Sequence, residues 1–184
     1  MITRKNAAIG LTCVLLGLTT SALRAEDSFA TKLTQDVHEV IDNGHWDGYL
    51  PAYTYHLPFA YDAEHLRRYN NHPWGAGVGK SIVRSDNTQV GLFAMSFQDS
   101  HNRPEPIAGY FWDKRWAVTD RGFVSAGYTL FATAREDIGH YVPFPAVLPL
   151  AGVGYGSAEL LTTYVPGGHN NGNVLFFFGR MRLD

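Results

Sequence analysis

Three polar side chains that could support acyl transfer stand at the ends of alternating stretches of the sequence. Asp99 and Ser100 end the stretch FQDS, which runs into the proline-containing loop HNRPEP, and His56 ends the stretch YTYH. Histidine can act as general base or acid, a carboxylate can orient it, and a serine hydroxyl can serve as nucleophile or oxyanion donor. Ser100 does not lie in a G-x-S-x-G elbow. The chemistry therefore depends on whether the fold brings the three residues together.

The composition argues against other kinds of site. None of the eight histidines lies in an H-E-x-x-H motif, so no metal and no cofactor is expected. The net charge is −2 at pH 7, and basic clusters are missing from the sequence. Nucleic-acid binding is therefore not expected either.

Residues 1–25 have the layout of a secretory signal peptide. Two basic residues precede an apolar run over 7–18, and the segment ends in small residues at Ala25. The run is too short for a transmembrane helix, which needs about 20 apolar residues. We expect cleavage after Ala25, with Ala22 as the alternative. Cys13, the only cysteine, would leave with this peptide, so no disulfide framework is expected.

The remaining chain, 26–184, is expected to form one domain. It begins with a periplasmic segment, 26–45, in which residues 28–42 predict an amphipathic helix. Its apolar residues recur at helical spacing: Phe29, Leu33, Val37, Val40 and Ile41. Such a stripe suits packing on a protein core or lying in a membrane interface, and the helix alone does not distinguish the two.

From residue 48 to residue 184 the apolar pattern has a period of two, which is typical of strands. Clusters of Gly, Asn, Asp and Pro separate most of the alternating runs. Eight strands are predicted, near 49–59, 74–84, 88–99, 107–118, 122–135, 144–154, 156–165 and 173–183.

The alternation predicts an all-β fold, an eight-stranded antiparallel transmembrane β-barrel with an N-terminal amphipathic α-helix. One face of 122–135 is apolar and the other is mostly small or polar. Aromatic residues collect near strand ends, as in the girdles of outer-membrane barrels: Tyr49, Tyr53, Trp74, Trp112, Trp116 and Tyr164. A soluble lipocalin-like barrel is the alternative, and it would turn its apolar face inward.

The last predicted strand indicates what fills the barrel. One of its faces carries Phe176, Phe178, Arg180 and Arg182. If both termini are periplasmic and this face is luminal, the outer half of the lumen is apolar and the arginines fill the inner half. An apolar well of this kind suits a hydrocarbon chain better than a water-filled pore. The same topology puts His56 and the Asp99–Ser100 pair on one outer rim, above the well.

Several longer motifs resemble the lipid A palmitoyltransferase family, PagP, over essentially the whole chain after the signal peptide. The matching stretches are YDAEHLRRYNNHPWGAGVG (61–79), GLFAMSFQDS (91–100), EPIAGY (105–110), LPLAGVGYG (148–156) and YVPGGHNNGNV (164–174). The resemblance implies an enzyme of the cell outer membrane with His56, Asp99 and Ser100 as catalytic residues.

The implied reaction moves a palmitoyl chain from the sn-1 position of a glycerophospholipid to a hydroxyacyl group on lipid A, and it raises resistance to cationic antimicrobial peptides. The implied partners are the glycerophospholipid donor, the lipid A acceptor and outer-membrane lipids, and a monomer is expected. Whether Ser100 forms an acyl-enzyme, or His56 assists direct transfer as general base, stays open.

The resemblance also gives a meaning to four prolines, which cannot donate to a strand ladder. In the family, proline pairs mark two lateral gates, one for lipid A and one for the phospholipid. The corresponding pairs are Pro51 with Pro73 and Pro149 with Pro166. Pro73 also reads as an ordinary turn residue at a strand end.

Three departures from the family pattern carry expectations of their own. Phe111 stands where the family has the glycine that forms the floor of its acyl-chain well, so a shorter preferred chain, or a floor displaced by neighbouring small residues, is expected. Arg103–Pro104 alters the loop after Ser100, and its dynamics are expected to differ. The chain ends in Leu183–Asp184 instead of the aromatic residue typical of outer-membrane barrels, which weakens the assembly signal.

Two other functional classes fit the residues without the resemblance. One is a barrel without catalytic activity that adheres or recruits, and the other is a soluble periplasmic lipid carrier. Neither predicts a special role for His56 or Ser100.

Overall fold

The computed structural model describes residues 28–184. The predicted signal peptide, its cleavage sites and Cys13 lie outside these residues. A first helix, α1, covers residues 28–43, and the chain divides into two compact units between His38 and Glu39. Within 28–184, no helix has the length and apolar character needed to cross a bilayer.

Eight antiparallel strands within the described residues form a closed barrel, each pairing with the next and β8 with β1. The predicted fold class is confirmed. The strands are β1 (His45–His56), β2 (Gly75–Val83), β3 (Thr88–Gln98), β4 (Pro104–Ala117), β5 (Gly122–Thr133), β6 (Phe144–Tyr155), β7 (Ala158–Val165) and β8 (Val174–Arg182).

The largest difference from the predicted strand bounds is the start of β1, which lies at His45 instead of near 49. Prolines account for two smaller differences. β1 ends at His56 instead of near 59 because Pro58, which has no N–H to donate, opens a single 3₁₀ turn at Pro58–Ala60. β4 begins earlier than predicted, at Pro104, because a proline is tolerated as the first residue of a strand.

A short helix, α2 (Ala63–Arg68), lies between β1 and β2 and was not predicted. Its six residues are too few to show a helical period. The Asp62 side chain caps its first turn by accepting a hydrogen bond from the His65 N–H at 3.0 Å.

The two ends of the barrel differ in the length of their connections. Four longer connections, 57–74, 99–103, 134–143 and 166–173, form what we call the loop end. Three short turns, 84–87, 118–121 and 156–157, form the turn end, where β1 also begins and β8 ends. Long loops at one end and short turns at the other are typical of outer-membrane barrels.

The outward face of the barrel is apolar, as the alternation predicts. On β5, Ser125, Thr129 and Thr133 are buried in the lumen, whereas Val124 is exposed. Other exposed apolar side chains surround the barrel: Leu50, Val78, Val147, Val153, Leu160 and Met181. This arrangement is the reverse of a lipocalin-like barrel.

Aromatic side chains are exposed near both ends. Trp74, 79% exposed, lies at the loop end, and Trp116, 50% exposed, lies at the turn end. Tyr49 is a correction to the predicted girdle, because its side chain is buried in the lumen beside Phe93 and Phe178.

Candidate active site

The half of the lumen nearer the loop end contains a cavity of about 370 Å³, which we call the well. Every described strand except β2 contributes to its walls, and most of the lining side chains are apolar. They include Phe93, Met95, Phe97, Ile107, Leu148, Leu150, Leu161, Phe176 and Phe178. Phe97 and Phe176 stack with their ring centroids 4.8 Å apart. The well extends up to Ser100 at the rim.

Phe111 forms the floor of the well. It is only 2% exposed and packs with Leu150 and Leu161. The guanidinium carbon of Arg180 lies 4.5 Å from the centre of the Phe111 ring, and both side chains line the lower end of the well. The apolar lining therefore gives way to a charged group at this level. Gly91 pairs with Phe111 across β3 and β4, and a side chain at Gly91 would collide with that ring.

Below the floor, polar and charged side chains fill the lumen near the turn end. We call this group the plug, and it comprises Gln89, Asp113, Arg115, Glu159 and Arg180. Arg180, 3% exposed, pairs with Glu159 and donates to Gln89 Oε1 at 2.6 Å. Arg115 and Ser125 also donate to Glu159, at 3.0 and 2.6 Å. Asp113 lies 3.7 Å from Arg180.

His56 and Ser100 come together at the rim of the well. His56 Nε2 lies 3.0 Å from Ser100 Oγ, although the two residues are 44 positions apart in the sequence. The ends of β1 and β3 bring them to the same side of the barrel. His56 is only 4% exposed, so its ring is largely shielded from water.

Asp99 lies beside this pair, but its carboxylate is used in a turn. Oδ1 accepts from the N–H groups of His101 and Arg103 at 2.8 and 2.9 Å. Oδ2 lies 3.8 Å from His101 Nδ1 and 3.9 Å from Arg135 Nη2. Among the described residues, Asp99 forms no hydrogen bond with His56. Its geometry fixes the turn that carries Ser100.

The loop between β5 and β6 supplies the charged groups around that turn. Arg135 donates to both oxygens of Asp137 at 2.9 Å and lies 3.4 Å from Glu105. The hydrogen bonds from Arg135 hold the pKa of Asp137 below its usual range. Glu136, also in the β5–β6 loop, forms an ion pair with Arg103. Arg103, one of the two residues that depart from the family pattern after Ser100, therefore has a charged partner.

Asn71 touches the other side of the His56 ring, and sequence reasoning missed it. Asn71 Oδ1 lies 2.8 Å from His56 Nδ1. Asn71 lies in the stretch 61–79 that carries the family resemblance, but asparagine is common in turns and has no periodic pattern there that would mark it as a site residue.

Two tyrosines that sequence reasoning also missed surround His56. The rings of Tyr61 and Tyr69 lie 5.2 and 5.0 Å from the imidazole. Their hydroxyls donate to backbone carbonyls of the β7–β8 loop, Tyr61 to Gly172 and Tyr69 to Asn170. Burial raises the pKa of Tyr61 to about 12, so its phenol is neutral near pH 7. Both tyrosines lie in the motif that carries the family resemblance.

The strand ladder stops short of the loop end at two places in the barrel wall. Between β1 and β2 the last pair is Tyr49 with Gly77, although β1 continues to His56. Between β6 and β7 the last pair is Leu150 with Thr163, although β6 begins at Phe144. These are the only neighbouring pairs of described strands in which so much of one strand is left unpaired.

The four prolines lie around these interruptions. Pro51 comes two residues after Tyr49, where the β1–β2 ladder stops, and Pro149 comes directly before Leu150, where the β6–β7 ladder stops. Pro73 is buried shortly before β2, whereas Pro166 is exposed directly after β7. The Thr163 hydroxyl donates to the Pro149 carbonyl at 2.8 Å, which satisfies an acceptor where the ladder ends.

The described part of the chain, 28–184, contains no group of three or more His, Cys, Asp or Glu side chains that could hold a metal ion.

The fold and the site together define a class of protein. It is a closed antiparallel barrel of the outer-membrane type whose lumen is a blind apolar well under a histidine–serine pair, with a charged plug below. Within residues 28–184, this combination differs from the open water-filled pore that larger outer-membrane barrels use for diffusion.

Comparisons with known proteins identify the family. The model of the family described as antimicrobial peptide resistance and lipid A acylation protein PagP matches residues 36–180. The protein named lipid A acyltransferase PagP of Cronobacter sakazakii is 46% identical over 176 residues, covering 92% of this chain and 91% of the relative. Those of Klebsiella pneumoniae and Bordetella bronchiseptica are 44% and 41% identical, covering 86% and 97% of this chain and 89% and 98% of the relatives. The chain belongs to the PagP family, a family of lipid A acylation enzymes, which confirms the resemblance.

Proposed function

We propose that the protein is an outer-membrane acyltransferase that takes an acyl chain from the sn-1 position of a glycerophospholipid and transfers it to a hydroxyacyl chain of lipid A. It works as a monomer, remodels the outer leaflet and raises resistance to cationic antimicrobial peptides. One observation carries the proposal: the blind apolar well reaches the rim at which Ser100 meets His56. A hydrocarbon chain that fills the well leaves its ester group at that rim.

His56 is the general base of the proposed reaction, and two routes share its geometry. In the first, Ser100 Oγ attacks the ester carbonyl carbon and gives its proton to His56 Nε2. The bond to the glycerol oxygen breaks, and that oxygen takes the proton and leaves. The lipid A hydroxyl then attacks the acyl-serine and gives its proton to His56 Nε2. The bond between the acyl carbon and Ser100 Oγ breaks, and His56 passes that proton to Ser100 Oγ.

In the second route, the lipid A hydroxyl attacks the donor ester directly and gives its proton to His56 Nε2. The proton then passes to the departing glycerol oxygen. Ser100 donates its hydroxyl hydrogen to the carbonyl oxygen, on which negative charge develops. The intact mass of the enzyme after mixing with donor alone separates the routes, because only the first adds an acyl group to the protein.

The acyl chain that the enzyme prefers is proposed to be shorter than palmitate. The support is the Phe111 ring, which occupies the lower end of the well beside Arg180. A chain long enough to reach past the ring would bring its methyl end to a charged guanidinium, which is unfavourable for apolar groups. A lipid A mass spectrum with clean palmitate addition would refute this shorter well.

The lipids are proposed to reach the site laterally through the two interruptions of the ladder. The prolines Pro51 and Pro73 border one opening, and Pro149 and Pro166 border the other. One opening serves lipid A and the other serves the phospholipid. The unpaired ends of β1 and β6 support this proposal, because a continuous ladder would close the wall to a lipid chain.

The test is the mass spectrum of lipid A from an outer-membrane fraction that contains the enzyme, compared for wild type, His56→Ala and Ser100→Ala. We expect the wild type to add one acyl chain, and each variant to lose about 10²- to 10⁴-fold in activity. Heat-modifiable gel mobility in micelles serves as the folding control. Equal activity in all three proteins would contradict the assignment of His56 and Ser100 as catalytic residues and favour a barrel without catalytic activity. A protein that stays in the soluble periplasmic fraction would favour a lipid carrier.

A further inference from the structure

The His56 ring is held on both of its nitrogen atoms. Nδ1 lies 2.8 Å from the carbonyl oxygen of the Asn71 side chain, and Nε2 lies 3.0 Å from Ser100 Oγ. Both distances are in the normal range for hydrogen bonds. The two contacts fix the ring orientation about its long axis and leave one nitrogen for each partner.

The chemistry of these partners selects one tautomer of the neutral imidazole. A side-chain carbonyl oxygen only accepts, so Nδ1 must carry the hydrogen in the contact with Asn71. A neutral imidazole has a single N–H, and Nε2 therefore presents its lone pair to Ser100. That is the state which a general base at Nε2 requires.

The backbone around Asn71 is tied to both strands that carry the reacting groups. The Thr54 N–H donates to the Asn71 carbonyl at 2.9 Å, which anchors the loop to β1 beside His56. The Asn70 N–H donates to the Ser100 carbonyl at 2.9 Å, which anchors the same loop at the end of β3. The Asn70–Asn71 dipeptide thus connects two strand ends that are not neighbours in the barrel.

The residue expected to orient the histidine is engaged elsewhere. The Asp99 carboxylate accepts two backbone N–H groups in the turn after Ser100. The partner of Nδ1 is therefore an uncharged amide and not a carboxylate. An amide orients the ring without the electrostatic stabilisation of the imidazolium that a carboxylate supplies, so His56 remains available as a neutral base.

We infer that Asn71 is the positioning residue of the site: its side-chain carbonyl holds His56 in the Nδ1–H tautomer, with Nε2 directed at the reacting hydroxyl. This inference rests on the proposed function, in which His56 is the general base. It assigns the orienting task to a loop amide and leaves Asp99 the task of shaping the turn that carries Ser100.

Two substitutions at Asn71 separate positioning from a structural role. Asn71→Leu keeps a similar size but removes the acceptor, and we expect kcat to fall about tenfold or more while KM and the unfolding midpoint in micelles stay the same. Asn71→Asp keeps the acceptor and adds a negative charge that stabilises the imidazolium. We expect the acidic limb of its pH–rate profile to move to higher pH by roughly one unit.

Asn70→Leu is the matched control, because it removes the loop hydrogen bond from the His72 N–H to Asn70 Oδ1 and leaves the contact between Asn71 and the imidazole in place. We expect its pH–rate profile to keep the wild-type midpoint. An unchanged kcat for Asn71→Leu, or an unshifted acidic limb for Asn71→Asp, would overturn the inference.

Nitrogen-15 NMR of His56 in the wild-type enzyme in micelles tests the inference without any change to the loop, so that a variant that fails to fold does not leave the question open. We expect the ring signals of an Nδ1–H tautomer, and a dominant Nε2–H tautomer would contradict the assignment. His56→Ala separates this failure from failure of the proposed function. Full activity in His56→Ala would contradict the assignment of His56 as general base. An inactive His56→Ala together with an unaffected Asn71→Leu would contradict only the role of Asn71.

Discussion

The two halves of the barrel lumen are built from the same eight strands and have opposite chemistry. On β8, Phe176 and Phe178 line the well, and Arg180, the next inward residue, borders its lower end and belongs to the plug. On β7, Leu161 lines the well and Glu159 accepts from Arg180. On each of these two strands, the change from apolar to charged occurs between two successive inward-facing residues. Strand alternation determines which side chains face inward. Their position along the barrel axis determines whether they belong to the well, which suits an acyl chain, or to the plug.

The comparison predicts that the plug contributes mainly to stability and the rim to activity. Arg180→Met should lower the free energy of unfolding in micelles by about 3–5 kcal/mol, because it leaves Glu159 and Asp113 as buried charges without their nearest cation. Denaturant titration measures the loss.

Arg121→Met is the matched control for this change, since Arg121 is exposed at the turn end against Tyr155. It should change the unfolding free energy by no more than about 0.5 kcal/mol. The double variant Arg180→Met with Asp113→Asn should recover part of the loss, because it removes the buried negative charge at Asp113, whose carboxylate oxygens have no hydrogen-bond partner within residues 28–184. Equal losses in Arg180→Met and Arg121→Met would mean that the plug does not hold the lower half together.

The boundary between the two halves predicts a change in substrate choice. Phe111→Leu removes the ring at the lower end of the well but retains apolar packing against Leu150 and Leu161. The products should shift towards longer acyl chains, since one methylene in a hydrophobic pocket changes discrimination by roughly 10- to 200-fold. Mass spectrometry of lipid A after incubation with mixed-chain donors measures the shift.

Phe97→Leu is the corresponding control in the upper part of the well, where Phe97 stacks on Phe176. It should reduce the rate without a change in product chain length. If both variants give the wild-type distribution of chains, the floor of the well lies elsewhere.

The same boundary is tightly packed from the side of β3. Gly91→Ala would bring a methyl group well within 3.0 Å of the Phe111 ring and of the Lys80 carbonyl. Overpacking of this kind destabilises a core by about 1–3 kcal/mol, which urea or guanidinium titration detects. Gly168→Ala provides the control, because its added methyl group meets no atom within 4 Å. No loss in Gly91→Ala would show that the floor can move, and the argument for a short well would fail with it.

The sequence was sufficient to predict the barrel and, at the rim, the proximity of His56 and Ser100. Period-two alternation is set by the direction of side chains on a strand, so the eight strands and their outward apolar face could be predicted. His56 and Ser100 could be paired because strand direction alone puts the ends of β1 and β3 at one end of the barrel.

The other contacts of the rim depend on loop conformation, which has no periodic signal. Asn71, Tyr61 and Tyr69 lie in the long β1–β2 connection, and their contacts with His56 follow from the path of that loop over the barrel. Tyr49 was misassigned for a related reason, since the alternation of β1 is interrupted by a register shift between Pro51 and Tyr53. A register shift of one residue exchanges the inward and outward faces for the residues that precede it, and Tyr49 is one of them.

The smallest expected effect concerns the two interruptions of the wall, which are closed in different ways. A side chain bridges the β6–β7 opening, where the Thr163 hydroxyl donates to the Pro149 carbonyl. At the β1–β2 opening the bridge is a backbone hydrogen bond from Thr54 to Asn71. Only the first is made by a side chain, so only the first can be removed without a change to the backbone. Thr163→Val should lower the unfolding free energy by about 1 kcal/mol and speed amide exchange along the end of β7, but not at Thr54.

The neighbouring threonine supplies the control for this comparison. The Thr162 hydroxyl is buried and has no hydrogen-bond partner in the described part of the barrel, so Thr162→Val should be neutral or stabilising. Hydrogen exchange followed by NMR in micelles resolves the two openings residue by residue. If Thr162→Val and Thr163→Val behave alike, the hydroxyl does not close the β6–β7 opening. A loss confined to Thr163→Val would mean that this opening is held by a single removable bond, whereas the β1–β2 opening is held by the loop that also positions His56.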